Sequence, residues 1–140
     1  MLKPENGYQI PEETVKVAKV AFPNGNIYLA LRDNLGPICA DENFKDLYPA
    51  LGQPVESPGR LALITILQYL EDLPDRQAAE AVRSRIDWKY MLGLRLDDPG
   101  FDYSVLSEFR QRLLEGKAEA LLLEKVLECC EALNLLKGNK

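Results

Sequence analysis

The chain has no histidine in its 140 residues, only three cysteines and a single tryptophan. Without imidazole, no serine or cysteine has its usual activating base, and the commonest side-chain metal ligand is missing. Cys39, Cys129 and Cys130 form an odd set with two members adjacent and no CxxC spacing. That pattern argues against a disulfide framework and against structural zinc, so the thiols are expected to serve as small apolar side chains on helices. No glycine-rich phosphate loop precedes a helix. No apolar run approaches the ~20 residues of a membrane span, and the opening MLKPENGYQI has no apolar stretch behind its charge. A cytoplasmic protein without a membrane partner, metal or cofactor is expected.

Positive charge is scarce as well. Lysine and arginine total 17 against 22 aspartate and glutamate, a net charge of −5. Coating a polyanion needs a local excess of Lys and Arg. Any nucleic-acid surface on this chain must therefore be a confined patch.

What the chain does have is an ordinary globular composition, 46% hydrophobic and 28% charged residues, enough for one core. The expectation is all-α: a compact multi-helix domain spanning 1–140, with a buried central helix and a helix-turn-helix-like pair. Within it, 1–25 is an N-terminal arm or short helix, 26–56 holds two short helices and a loop, and 57–140 is the helical core.

Breakers punctuate this reading. After Pro11, EETVKVAKVAF places Val15, Ala18 and Phe22 at helical spacing before Pro23-Asn24-Gly25. IYLALRDNL follows from Ile27 and stops at Gly36-Pro37, and Asp41 precedes ENFKDLY, with Phe44, Leu47 and Tyr48 on one side. Ser57 can cap a helix with Pro58 at its first position, where a missing N–H costs nothing. That helix, RLALITILQYLEDL, is apolar around nearly its whole circumference and must be enclosed by neighbours. Asp75 is placed to cap the next, RQAAEAVRSRIDWKYML, read as one helix ending at Gly93. Two helices joined by so few residues have the local form of a helix-turn-helix. LRLDDPGF is a loop, Asp102 caps DYSVLSEFRQRL, and a last amphipathic helix runs to Gly138.

Two patches could carry function. Arg76, Arg83, Arg85 and Lys89 lie on the helix after the tight turn, opposed there only by Glu80 and Asp87; they suit phosphate positioning. The competing reading is a helix surface laced by pairs such as Glu80 with Arg83. On the helix from 102, Leu106, Phe109 and Leu113 share the inner face. Ser104, Ser107, Gln111 and Arg112 lie outside with Glu108. Their side chains reach phosphates and base edges, and a plain solvated face competes with that reading. Arg110 falls at the edge of the apolar side and is expected to snorkel or pair with a carboxylate within the fold. Trp88 and Tyr90 flank Lys89 and could stack on bases, although aromatics there more often belong to a core. Asp75, Trp88, Phe109 and Arg110 are thus expected to be structural. No catalytic constellation is visible, and no chemistry is expected within the chain.

The ordered set Asp41, Phe44, Tyr48, Gly52, Pro54, Pro58, Asp75-Arg76, Asp87-Trp88-Lys89-Tyr90, Gly93 and Phe109-Arg110 resembles the N-terminal domain of bacterial insertion-sequence transposases of the InsH type, from about Asn26 onward. The resemblance implies a helical module that recognises element ends, the terminal inverted repeats, in DNA transposition. It also implies attachment to a C-terminal RNase-H-like domain bearing the acidic metal-binding triad, of which this chain carries no residue. Tyr103 stands where many of those proteins have histidine. The competing expectation is a protein–protein or homodimer-forming module, the last helix supplying the contact, or a truncated remnant acting as a regulator.

Overall fold

The computed structural model describes residues 9–36 and 57–138. The expected helix after Asp41, the loop leading to Ser57, and Cys39 lie outside the described residues.

Among the described residues there are seven helices and no strand. They are α1 (Glu12–Ala21), α2 (Ile27–Leu35), α3 (Pro58–Glu71), α4 (Asp75–Ser84), α5 (Ile86–Leu92), α6 (Ser104–Glu115) and α7 (Glu119–Gly138). The all-α reading holds. α3 is the enclosed centre: Leu61, Leu63, Ile64, Ile66 and Leu67 are each at most 1% exposed. Its start follows from local chemistry, since the Ser57 hydroxyl accepts from the Arg60 N–H at 3.2 Å with Pro58 in the first turn.

Around α3 pack α2 and α4 to α7, contributing Leu31, Val82, Trp88, Met91, Leu92, Leu106, Phe109 and Cys129 to one core. Each large aliphatic side chain so buried stabilises by about 1.5–3 kcal/mol relative to exposure. α1 is a helix rather than an arm. Its Ala18 joins Leu29 and Tyr90 in a smaller cluster against α5, and its buried Thr14 donates to the Leu94 carbonyl at 2.7 Å.

Three boundaries differ from expectation. The segment read as one helix from 76 to 92 breaks at Arg85, which is extended at φ −98°, ψ 125°. Periodicity could not show this, because the apolar stripe continues across the break; what changes there is where the guanidinium goes. Asp75 is the first residue of α4 rather than its cap. Pro74 holds the cap position without a side-chain bond, and the Asp75 carboxylate is engaged elsewhere. Nor does Asp102 hold the cap position of α6: that is Tyr103, without a side-chain bond, and Asp102 one residue earlier accepts from the Ser104 N–H at 3.0 Å. Gly93 ends α5 at φ 69°, a conformation that favours glycine, and the Leu94 N–H returns to the Lys89 carbonyl at 2.9 Å.

Candidate nucleic-acid interface

The four basic residues proposed for the segment after the turn separate into two pairs. Arg76 and Arg83, one on each end of α4, stay at the surface. Arg85 and Lys89 turn inward, so the continuous cationic face expected from the sequence does not form.

Lys89 is 2% exposed and its ammonium donates to the Asp98 carbonyl at 2.8 Å. Burial pulls its pKa below the ordinary lysine value, against the attraction of Asp98 and Asp97. Arg85 sits at the helix break and faces two carboxylates. It meets Asp87 through Nε at 3.0 Å and an Nη at 2.8 Å, and Glu71 through the other Nη at 2.6 Å. Its guanidinium lies 5.3 Å from the Trp88 ring and 5.8 Å from that of Tyr28. Glu71 also accepts from Trp88 Nε1 at 3.1 Å and from the Tyr28 hydroxyl.

Burial would raise the Glu71 carboxyl, but hydrogen bonds from Arg85, Tyr28 and Trp88 outweigh it and hold the pKa below the usual value. Burial and the bond to Glu71 push the Tyr28 phenol up. Asn26 closes the set: its carbonyl caps α2 at the Tyr28 N–H, 2.8 Å, and its amide approaches Asp87 at 3.4 Å. The result is a polar hub joining α2, α3 and α5. Two other arginines support α5 from its end, Arg60 donating to the Leu92 and Gly93 carbonyls and Arg32 to that of Met91, where a cation complements the helix dipole.

Arg110 forms a two-pronged pair with Asp75, at 2.7 and 2.6 Å. Gln68 donates to the same carboxylate at 3.0 Å. The bonds from Arg110, ahead of the opposing effect of burial, lower the Asp75 pKa. Trp88 and Phe109 are fully buried.

What remains outside converges. Arg76 on α4 donates to the Tyr103 hydroxyl at 3.2 Å, and its guanidinium lies 4.7 Å from the centre of that ring. A groove lined by Arg76, Ala79, Arg83, Phe101 and Tyr103 runs between α4 and the entry to α6, with Glu80 and Asp102 on its walls. Gly100, just before Phe101, takes φ 74°, a conformation that favours glycine. Ser104 and Ser107 follow on the exposed side of α6, Ser107 donating to the Ser104 carbonyl at 3.0 Å. Further along, Gln111 approaches Glu115 at 3.4 Å and Arg112 approaches Glu108 at 3.3 Å. Thus the start of α6 joins the α4 arginines, while Gln111 and Arg112 extend away along the helix.

The groove is not a positive field. Arg83 is engaged by Glu80, and Asp102 is held below the ordinary carboxylate pKa by the hydroxyl and N–H of Ser104. What it offers an anion is two guanidinium groups lining one groove, that of Arg76 held by the Tyr103 ring and hydroxyl. Among the described residues, no group of three or more Cys, Asp or Glu side chains could hold a metal ion, and no helix is long and apolar enough to cross a membrane.

Residues 19–112 match the family model described as Transposase domain (DUF772). The chain belongs to this transposase domain family. A role connected with transposition follows from that membership, and every residue of the groove and of the polar hub lies inside the matched stretch. No curated protein and no solved structure matches the chain. Sequence reasoning missed Tyr103 as the partner of Arg76 and the Asn26–Tyr28–Glu71 part of the hub. Asn26 immediately before an apolar helical run was a readable cap signal; the pairing of Arg76 with Tyr103, 27 residues apart, left no local trace.

Proposed function

We propose that this chain is the DNA-binding module of an insertion-sequence transposase, resembling the InsH type, and that it recognises the terminal inverted repeats of its element. The groove between α4 and α6 docks a phosphate strand through Arg76 and Arg83, and the exposed Ser104, Ser107 and Gln111, with the half-buried Arg112 beside them, follow the same duplex. α3 and α4, joined by residues 72–74, act as the helix-turn-helix-like pair, with the buried α3 supporting the α4 that meets DNA. Arg85 and Lys89 hold this surface in place from within. Strand chemistry belongs to a separate RNase-H-like domain of the full-length enzyme, and the module works in the cytoplasm.

The single observation that supports this reading is the convergence of two separate sequence segments, 76–83 and 101–104, on one arginine-lined groove inside the part of the chain that matches a transposase domain. Binding of the chain to duplexes carrying the element end, against scrambled duplexes of equal length, tests it. Preference for the end sequence, with affinity falling steeply as salt rises, is the expected outcome. Equal, salt-insensitive or absent binding would remove the proposal.

A further inference from the structure

The last helix, α7, has two apolar faces and uses one. Leu121, Leu122, Val126, Cys129 and Leu133 turn toward the core. At 100° per residue, Leu123 and Leu127 fall on the opposite side, and they are 57% and 59% exposed. Leucines one turn apart on the outside of a helix form a ridge that a partner helix can cover, here followed on the same side by the exposed Asn134. This face also lies beyond residues 19–112, the stretch shared with the transposase domain family.

The charges beside the stripe select what fits it. Glu124, Glu128 and Glu131 form a row at i, i+4 and i+7 along one edge, all exposed. Lys125, on the core side, reaches Glu128 at 3.9 Å; among the described residues Glu124 and Glu131 have no ion pair. A second copy packing antiparallel on the same stripe would set one glutamate row against the other, which is repulsive. Parallel packing would set the row against the flank already buried in the core. A helix bearing leucines at matching spacing with lysine or arginine beside them satisfies both the stripe and the row.

We propose that the Leu123–Leu127 face of α7 is a docking surface for a basic amphipathic helix of another protein or domain. It is a protein-binding function distinct from the DNA groove. A fluorescent synthetic helix of leucine and lysine, with the leucines at i, i+4 spacing, tests it against an otherwise identical helix of leucine and glutamate, by anisotropy with the full chain. The basic peptide is expected to bind at least about tenfold more tightly than the acidic one. The double substitution Leu123→Ser/Leu127→Ser, at exposed positions that leave the helical spectrum unchanged, is expected to weaken it about tenfold or more. Glu124→Gln/Glu131→Gln is expected to weaken it less and to flatten its salt dependence.

Equal binding of the two peptides, no binding of the basic one, or binding indifferent to the serine substitutions would overturn the proposal. So would a homodimer that Leu127→Ser dissociates, because a second copy would then be the occupant. Duplex binding measured on the same variants is expected to be unchanged, which separates failure here from failure of the DNA reading.

Discussion

Arg83 and Arg85 stand two residues apart and belong to different parts of the molecule. The Arg83 side chain is 59% exposed at the end of α4 and pairs with its helical neighbour Glu80. That of Arg85 is 35% exposed at the break between α4 and α5, and it holds two carboxylates against two aromatic rings. The first kind of ion pair contributes little to stability, and its guanidinium can exchange partners for a phosphate. The second cannot be opened without stranding Glu71 and Asp87 beneath the surface. Charge counted along a segment therefore overstates what is offered to a ligand. Only the part not spent inside the fold is available.

The sharpest way to break this comparison is Arg85→Ala. It should lower unfolding free energy by about 2–3 kcal/mol, less than the full cost of breaking a buried pair because the side chain is about one-third exposed. Chemical denaturation measures it, and a loss within error would place Arg85 with Arg83 after all. Next is Asp75→Asn, which halves the clasp on Arg110 and should cost about 1–2 kcal/mol.

Acid sharpens the same contrast. The Glu71 and Asp75 carboxyls lie below their ordinary values. The stability they add is thus present above the unfolded-state pKa of about 4 and drains away as pH falls through their lower folded values. Glu71→Gln/Asp75→Asn should flatten that acid limb of a stability profile. The smallest effect is expected for Glu80→Gln on DNA. Releasing Arg83 should tighten duplex binding by a few tenths of a kcal/mol, and weakened binding would mean that Glu80 positions Arg83 rather than competing with the ligand.

Much of the fold was legible because local rules agree with the global one. Ser57-Pro58 starts α3, Gly36 and Gly93 stop α2 and α5, and the all-round apolar content of α3 marks it as central. The break at Arg85 left no mark in the hydrophobic period; the guanidinium there turns to Asp87, two residues on, and to Glu71, 14 residues earlier. The candidate site was half legible for the same reason. Types and positions on a helix identified which residues are polar and outward by period, but Lys89, whose ammonium reaches back to Asp98, looks from sequence like any other surface lysine. The start of α6 was read correctly as outward, yet its meeting with Arg76 depends on the turn at Gly100, and turn geometry carries no hydrophobic period.

The most direct test of the account is the salt dependence of duplex binding by Arg76→Ala/Arg83→Ala compared with the unsubstituted chain. With two phosphate contacts removed, the slope of log affinity against log salt should shrink by about 1.8, while the denaturation midpoint stays nearly fixed. An unchanged affinity and slope, with the fold intact, would contradict the assignment of the α4–α6 groove to DNA.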